Sequence, residues 1–148
     1  MTVPVPVSKL MEFIPHRPPM VWVDEVLDYS ATAGRTLTVI KDGAHYLDDE
    51  GQIRPSSCLE FMAQSYGYIS VCARAKSDDP VKTAPKRAFL AAFNDARLAP
   101  AALFSQLQPG DQLVTELTGI RAMGPIILFS GQVTRGSDLL CSARMKVF

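Results

Sequence analysis

The sequence has few of the features that mark nucleic-acid or zinc binding. Its 15 basic and 15 acidic side chains give a formal net charge of zero, whereas proteins that neutralise a phosphate backbone usually carry a basic excess. Its three cysteines stand far apart and form no CxxC pair or Cys/His cluster. We therefore expect three buried free thiols, no metal site and no nucleic-acid partner.

Long apolar runs and phosphate-binding glycine loops are also missing. No run of about 18 apolar residues spans a bilayer, and the first ten residues lack the basic and then apolar order of a secretory signal. No dinucleotide fingerprint or P-loop is present. We expect a cytoplasmic protein with no membrane partner and no nucleotide or redox cofactor.

The chain has 148 residues, of which 47% are apolar and 20% charged. These values are ordinary for a globular protein, and the length suits one domain with one core. No repeat, low-complexity segment or Gly/Ser-rich linker divides the sequence. We therefore expect a single domain over residues 1–148.

Residues 56–75 predict one helix that is buried on most of its sides. Ser56 or Ser57 can cap its start. The apolar residues fall on nearly every side of the helical wheel, whereas a surface helix would show a polar face. They are Leu59, Phe61, Met62, Ala63, Tyr66, Ile69, Val71, Cys72 and Ala73.

The rest of the chain predicts an antiparallel sheet. Period-two alternation is clearest in the last two strands, which indicates one buried face. An extended arm, a short helix over Ser8–Phe13 and a Pro-broken segment come first, and residues 42–55 and 76–86 are expected to be loops. The predicted strands are Met20–Asp28, Thr36–Lys41, Arg87–Asn94, Gln112–Arg121, Ile126–Thr134 and Leu139–Phe148. This order indicates an α+β hotdog fold, an antiparallel β-sheet wrapped around one central buried helix.

Several motifs follow one another in the order seen in a known family. They are the segment 13–20 (FIPHRPPM) with 23–27 (VDEVL), the helix motif 59–64 (LEFMAQ), and 93–97 (FNDAR) with 108–113 (QPGDQL). Together they resemble the hotdog-fold 3-hydroxyacyl-acyl-carrier-protein dehydratases. The P-H-x-x-P-M start and the E-F-M-A-Q helix are most similar to the dehydratase-like subunit of aryl polyene pathways.

The resemblance implies dehydration of 3-hydroxyacyl thioesters to trans-2-enoyl thioesters, in fatty-acid or polyene and polyketide synthesis. The partner it implies is an acyl carrier protein whose phosphopantetheine arm holds the acyl group. Two alternatives stay open, because one fold hosts several chemistries. In the first alternative, the chain is a non-catalytic subunit that completes an active hotdog paralogue. In the second, it is an acyl thioesterase.

Glu60 is the expected catalytic acid. An ionised carboxylate rarely enters such apolar surroundings without a partner or a task, and burial raises the pKa of a carboxyl. A structural carboxylate paired with Arg17, Arg54 or a backbone amide is the alternative interpretation. Gln64 lies one helical turn further on and can orient Glu60 or the substrate. The start of this helix is also expected to offer free N–H groups to the thioester oxyanion.

The chain has only two histidines, His16 and His45, and either one is a candidate base. The resemblance favours His45, because it lies fifteen positions before Glu60, close to the spacing of the family's catalytic His. However, the family's G-H-F-P-G context is replaced here by Gly43-Ala44-His45-Tyr46-Leu47. A solvated loop histidine is the alternative for His45, and organisation of the N-terminal turn is the alternative for His16.

Two further residues are candidate substrate-binding groups. Arg17 can meet the phosphopantetheine phosphate, with a plain surface arginine as the alternative, and Ser57 stands at the start of the helix. A half-wrapped helix and a free sheet edge also predict association. We expect a homodimer or a heterodimer with a second hotdog protein.

Overall fold

The computed structural model describes residues 2–76 and 90–148. Its seven strands form one sheet in the order β1-β2-β3-β5-β6-β7-β4, and every pairing is antiparallel. The strands are β1 (Val5–Pro6), β2 (Glu25–Tyr29), β3 (Gly34–Val39), β4 (Leu90–Leu98), β5 (Gln112–Met123), β6 (Ile126–Arg135) and β7 (Asp138–Val147). The helices are α1 (Ser57–Ala75) and the single turn α2 (Ala101–Phe104).

The concave face of the sheet wraps around α1, which contacts β2, β3, β5, β6 and β7. Inner residues of β6 and β7 are buried and alternate with outer polar ones, as the sequence predicted; examples are Phe129 and Val133 inside and Ser130 outside. Most side chains of α1 are buried. The hotdog architecture is therefore confirmed, and so are the three buried free cysteines.

The strand bounds differ from the prediction mainly at their starts. β2 begins at Glu25 and not at Met20, because the segment before it contains Pro18 and Pro19 and holds to α1 through side chains. The expected helix Ser8–Phe13 is instead two short 3-10 turns, Val7–Lys9 and Met11–Phe13. The predicted loop 76–86 and the start of the predicted strand Arg87–Asn94 lie largely outside the described residues.

Two further details of the prediction are corrected. The N-cap of α1 is Ser56, but no side-chain hydrogen bond caps the helix. The N–H groups of residues 57, 58 and 59 are not free, because they donate to the carbonyls of residues 54, 55 and 56. A tight turn into the helix satisfies them, so these three groups cannot serve an oxyanion.

Gly34 in β3 is one of the positions where the sheet comes close to α1. A Cβ atom at this position would lie 2.8 Å from Ile69 Cδ1 and 2.9 Å from the Asp28 carbonyl oxygen. Since a backbone oxygen cannot move away as a flexible side chain can, residue 34 must lack a side chain for β3 to keep its place beside β2 and α1.

Gly34→Ala is therefore expected to lower the free energy of unfolding by about 1–3 kcal/mol through overpacking. The matched control is Ser130→Ala, on the exposed outer face of β6, which should stay within about 0.5 kcal/mol of the wild type. Urea unfolding at one fixed chain concentration measures both values. Equal midpoints for the two variants would contradict this contact.

Candidate active site

Glu60, in the first turn of α1, meets His16 of the Pro-rich segment. The Nε2 atom of His16 lies 3.2 Å from Glu60 Oε1, and each side chain is about one-third exposed, at 33% and 31%. The other imidazole nitrogen, Nδ1, is buried and has no hydrogen-bond partner within the described residues. The structure thus brings one of the two candidate histidines to the acid within a single chain.

Gln64 is the second partner of Glu60. Its Nε2 donates to Glu60 Oε1 at 3.0 Å and to the Met20 carbonyl at 2.9 Å, while its Oε1 accepts from the Trp22 N–H at 2.9 Å. Gln64 is almost fully buried. Both ends of its amide are therefore occupied by protein groups, and it joins the helix, the acid and the Pro-rich segment.

Three aromatic rings support this junction from the side. Trp22, Tyr46 and Phe61 contact one another edge to face, with centroids 5.3–5.7 Å apart, an arrangement that aromatic pairs favour. The Tyr46 hydroxyl also accepts a hydrogen bond from the Lys41 N–H. The loop that carries His45 is thus packed onto the same aromatic cluster as the site.

The environment of Glu60 shifts its pKa in two opposing directions. Burial raises the pKa, but the hydrogen bonds from His16 and Gln64, together with the charge of His16, outweigh burial and lower it. The expectation of a raised pKa was therefore wrong. The sequence showed the apolar neighbours of Glu60 but not the two donors that long-range folding brings to it.

His16 and Glu60 stand on the wall of a cleft of about 670 Å³. One face of α1 forms its floor, because the helical spacing places Glu60, Ala63, Gly67, Ser70 and Arg74 in line. From Glu60 to Arg74 this face runs about 21 Å at 1.5 Å per residue. Apolar side chains form the remaining walls, among them Phe13, Ile14, Val71, Pro125, Ile127 and Val147.

His45 lies elsewhere. It is exposed, directly before the buried Tyr46 and Leu47, and it lines a separate polar cleft with Asp42, Asp48, Asp49 and Arg54. It is absent from the residues that line the cleft of Glu60. Within the described part of one chain, therefore, His45, the base that the sequence favoured, and Glu60 do not share a cleft.

The predicted substrate-binding side chains have partners inside the protein. Arg17 donates through one guanidinium nitrogen to the carbonyls of Met11, Ile14 and His16. Ser57 is buried, and its hydroxyl donates to the Tyr46 carbonyl at 3.4 Å. The alternative interpretation paired Glu60 with Arg17 or Arg54. Among the described residues, its ion pair is with His16 instead.

Two other features bear on the class of site. Within residues 2–76 and 90–148, no three His, Cys, Asp or Glu side chains come together as metal ligands would. No helix in the same ranges is both long and apolar enough to cross a bilayer.

A sheet wrapped around one helix defines the hotdog fold. In this chain, an acid and an imidazole lie beside an apolar groove of that fold. A family model described as "ApeP-like: ApeP dehydratase" matches residues 8–148, so the chain belongs to the ApeP-like dehydratase family. It is also 30% identical to the 3-hydroxyacyl-[acyl-carrier-protein] dehydratases FabZ of Shewanella woodyi and Actinobacillus pleuropneumoniae serotype 5b. These alignments cover 94% of this chain and 88% and 87% of the two relatives.

Solved structures show the same fold at lower identity. The dehydratase heterocomplex ApeI:P from Xenorhabdus doucetiae matches with a TM-score of 0.77 and 18% identity, over 100% of this chain and 91% of that one. Zebra fish thioesterase superfamily member 2 matches with a TM-score of 0.60 and 14% identity, over 95% and 91% of the two chains. The hotdog fold is thus shared by dehydratases and thioesterases alike.

The opposing effects on Glu60 give a pH prediction. His16→Ala is expected to raise the pKa of Glu60, because burial is then opposed only by Gln64. Carbon-13 NMR titration of the glutamate carboxyls, assigned with Glu60→Gln, measures this pKa. His45→Ala is the matched control and should leave it unchanged. The same pKa in all three proteins would show that the His16 contact is absent in solution.

The sign for stability follows from the lowered pKa. A carboxyl whose pKa is lower in the folded than in the unfolded chain stabilises the fold above its ordinary pKa of about 4.3. That contribution is lost as the pH falls through the folded-state pKa. We therefore expect the wild type to lose this stabilisation in acid, and His16→Ala to lose less of it.

Proposed function

We propose that the chain dehydrates 3-hydroxyacyl thioesters carried by acyl carrier protein to trans-2-enoyl thioesters. The observation that carries the proposal is the His16–Glu60 contact on the wall of an apolar cleft, in a member of a dehydratase family. The cleft volume lies within the range of small-molecule sites. Its apolar walls suit an acyl chain that extends from the reacting carbons along α1.

The reaction needs one base and one acid. The base removes a proton from C2, the C–H electron pair forms the C2=C3 double bond, the C3–O bond breaks, and the hydroxyl leaves as water with a proton from the acid. The lowered pKa of Glu60 keeps it ionised, which suits it to accept the C2 proton. His16 then supplies the proton to the hydroxyl. This assignment reverses the roles expected from the sequence.

His45 stays a second candidate base, for a different geometry. Hotdog sites usually form between subunits, so an exposed His45 of one chain can serve the Glu60 of another. Its position next to the buried Tyr46 is compatible with this role. The two geometries differ in whether the imidazole and the acid come from the same chain.

Glu60→Gln is expected to lower kcat by about 10²-fold or more, as loss of a proton-transfer group does. Mass detection of water loss from a 3-hydroxyacyl carrier protein measures the rate, and Gln132→Asn on the outer face of β6 is the matched control. Equal turnover by Glu60→Gln and the wild type would refute the role of Glu60.

Co-expression of two inactive variants separates the two histidines. If His16 acts with Glu60 of its own chain, a mixed assembly of His16→Ala and Glu60→Gln contains no intact pair and stays inactive. If His45 acts across chains, a mixed assembly of His45→Ala and Glu60→Gln contains one intact pair and recovers activity. His16→Ala alone with wild-type activity would exclude the in-chain pair.

The sheet edge supports association. β4 pairs only with β7 among the described strands, and Phe93 and Leu98 on this strand are about half exposed, at 49% and 53%. Their register opposite the inward-facing Met145 and Cys141 of β7 places them on the concave side. A second hotdog chain along β4 would extend the sheet and cover these side chains.

We therefore propose a dimer, either of this chain or with a second hotdog protein as in the ApeI:P heterocomplex. In the heteromeric form the chain is either the working subunit or a non-catalytic partner, and ApeP-like membership supports a place in aryl polyene synthesis. Thioester hydrolysis is the remaining candidate, since thioesterases share the fold. Release of free thiol without loss of water would identify it.

Phe93→Glu is expected to weaken the dimer, because it places a charge on the surface that the partner would cover. Sedimentation at micromolar concentration measures the mass, and Leu139→Glu, an exposed apolar residue at the start of β7, is the matched control. A monomeric mass for the wild type, alone and with a co-expressed hotdog partner, would contradict the dimer.

A further inference from the structure

His16 lies in a segment with little backbone hydrogen bonding of its own. No strand or helix covers residues 14–24, and Pro15, Pro18 and Pro19 have no N–H to donate. Regular secondary structure therefore cannot fix the position of the imidazole. Side-chain contacts with the segment must do so.

The C-terminal part of this segment is held by Gln64 and Trp22. Gln64 bonds the carbonyl of Met20 and the N–H of Trp22, and the Trp22 indole N–H donates to the Pro19 carbonyl at 3.2 Å. These contacts fix residues 19–22 against α1. They leave His16 three residues away, across two prolines.

The N-terminal part is held by Arg17. One guanidinium nitrogen, Nη1, lies 2.8 Å from the Met11 carbonyl oxygen, 2.5 Å from that of Ile14 and 2.8 Å from that of His16. The backbone N–H of Met20 in turn donates to the Arg17 carbonyl at 2.8 Å. Residues 11–17 thus fold around the guanidinium group of Arg17.

This arrangement restricts His16 directly. Hydrogen bonds from a charged donor are stronger than neutral ones, and one of the three acceptors is the carbonyl of His16 itself. Holding that carbonyl limits the movement of the His16 backbone, and with it the positions that the imidazole can reach. Its reach to Glu60 therefore depends on Arg17, although the hydrogen bonds of Arg17 go to backbone carbonyls and not to the acid.

We infer that Arg17 is a positioning residue, which holds the backbone of His16 so that the imidazole meets Glu60. The inference rests on the proposed function and differs from the sequence interpretation, in which Arg17 meets the phosphate of the carrier. The two roles predict different kinetics. A positioning residue acts on the chemical step, whereas a phosphate ligand acts on binding of the carrier.

For Arg17→Ala we expect kcat to fall by about 10²-fold, as a small misplacement of a reacting group does, with KM for the carrier-bound substrate unchanged. Arg17→Lys keeps the charge and three donors, and should restore part of kcat. Arg35→Ala is the matched control, because Arg35 pairs on the surface with Asp28. A raised KM with wild-type kcat would overturn the inference in favour of phosphate binding.

A second measurement does not depend on activity. Release of His16 should raise the pKa of Glu60 in Arg17→Ala, as in His16→Ala, and Arg35→Ala should leave it unchanged. If the wild type proves inactive as a dehydratase, the proposed function fails while this titration still tests the contact. A wild-type Glu60 titration in Arg17→Ala overturns the positioning role, whatever the activity.

Arg17→Lys carries the test if Arg17→Ala does not fold. Loss of the planar guanidinium should then give a partial fall in kcat and a partial rise in the pKa of Glu60. Wild-type values for both quantities in Arg17→Lys would overturn the inference.

Discussion

The buried amide of Gln64 is the contact on which the site depends. It satisfies one backbone donor and one backbone acceptor of the Pro-rich segment and donates to Glu60. Buried polar groups without partners are costly, so the segment and the helix stabilise each other through this one side chain. As a result, one buried side chain places the acid and holds residues 20–22 of the Pro-rich segment against α1.

At Glu60, burial and hydrogen bonding shift the pKa of the carboxyl in opposite directions. Burial alone would favour the neutral carboxyl, and the two donors restore the charged form. The lowered pKa means that the carboxylate, and not the carboxylic acid, is the form that meets a substrate at neutral pH. One donor, Gln64, lies on the apolar helix, and the other, His16, comes from the Pro-rich segment, so both elements set the protonation state.

Much of the fold could be predicted from local pattern. The all-round apolar helix at 56–75 and the alternation in β6 and β7 depend on neighbours in sequence, and both were confirmed. Turns at Gly124–Pro125 and Gly136–Ser137 separate β5, β6 and β7, where glycine favours a turn. The predicted start of β2 was wrong. Before Glu25, the Trp22 N–H bonds to the side chain of Gln64, forty-two residues further along the chain, in place of a hydrogen bond within the sheet.

The site was less accessible to sequence reasoning. Glu60 was identified because a carboxylate in an apolar helix is unusual, and Gln64 because it lies one helical turn further on. The contact of His16 with Glu60 joins residues forty-four positions apart through a segment without regular structure, and no periodicity describes such a segment. Pro15, Pro18 and Pro19 did indicate a stretch without regular structure, and this stretch carries His16.

Trp22 gives the protein a built-in optical probe. It is the chain's single tryptophan. Its backbone N–H donates to Gln64, and its ring packs on Tyr46 and Phe61. Light that excites indole selectively therefore reports on one place, the junction between the Pro-rich segment and α1. The emission wavelength and quenching of Trp22 therefore report on the packing of that junction without any added label.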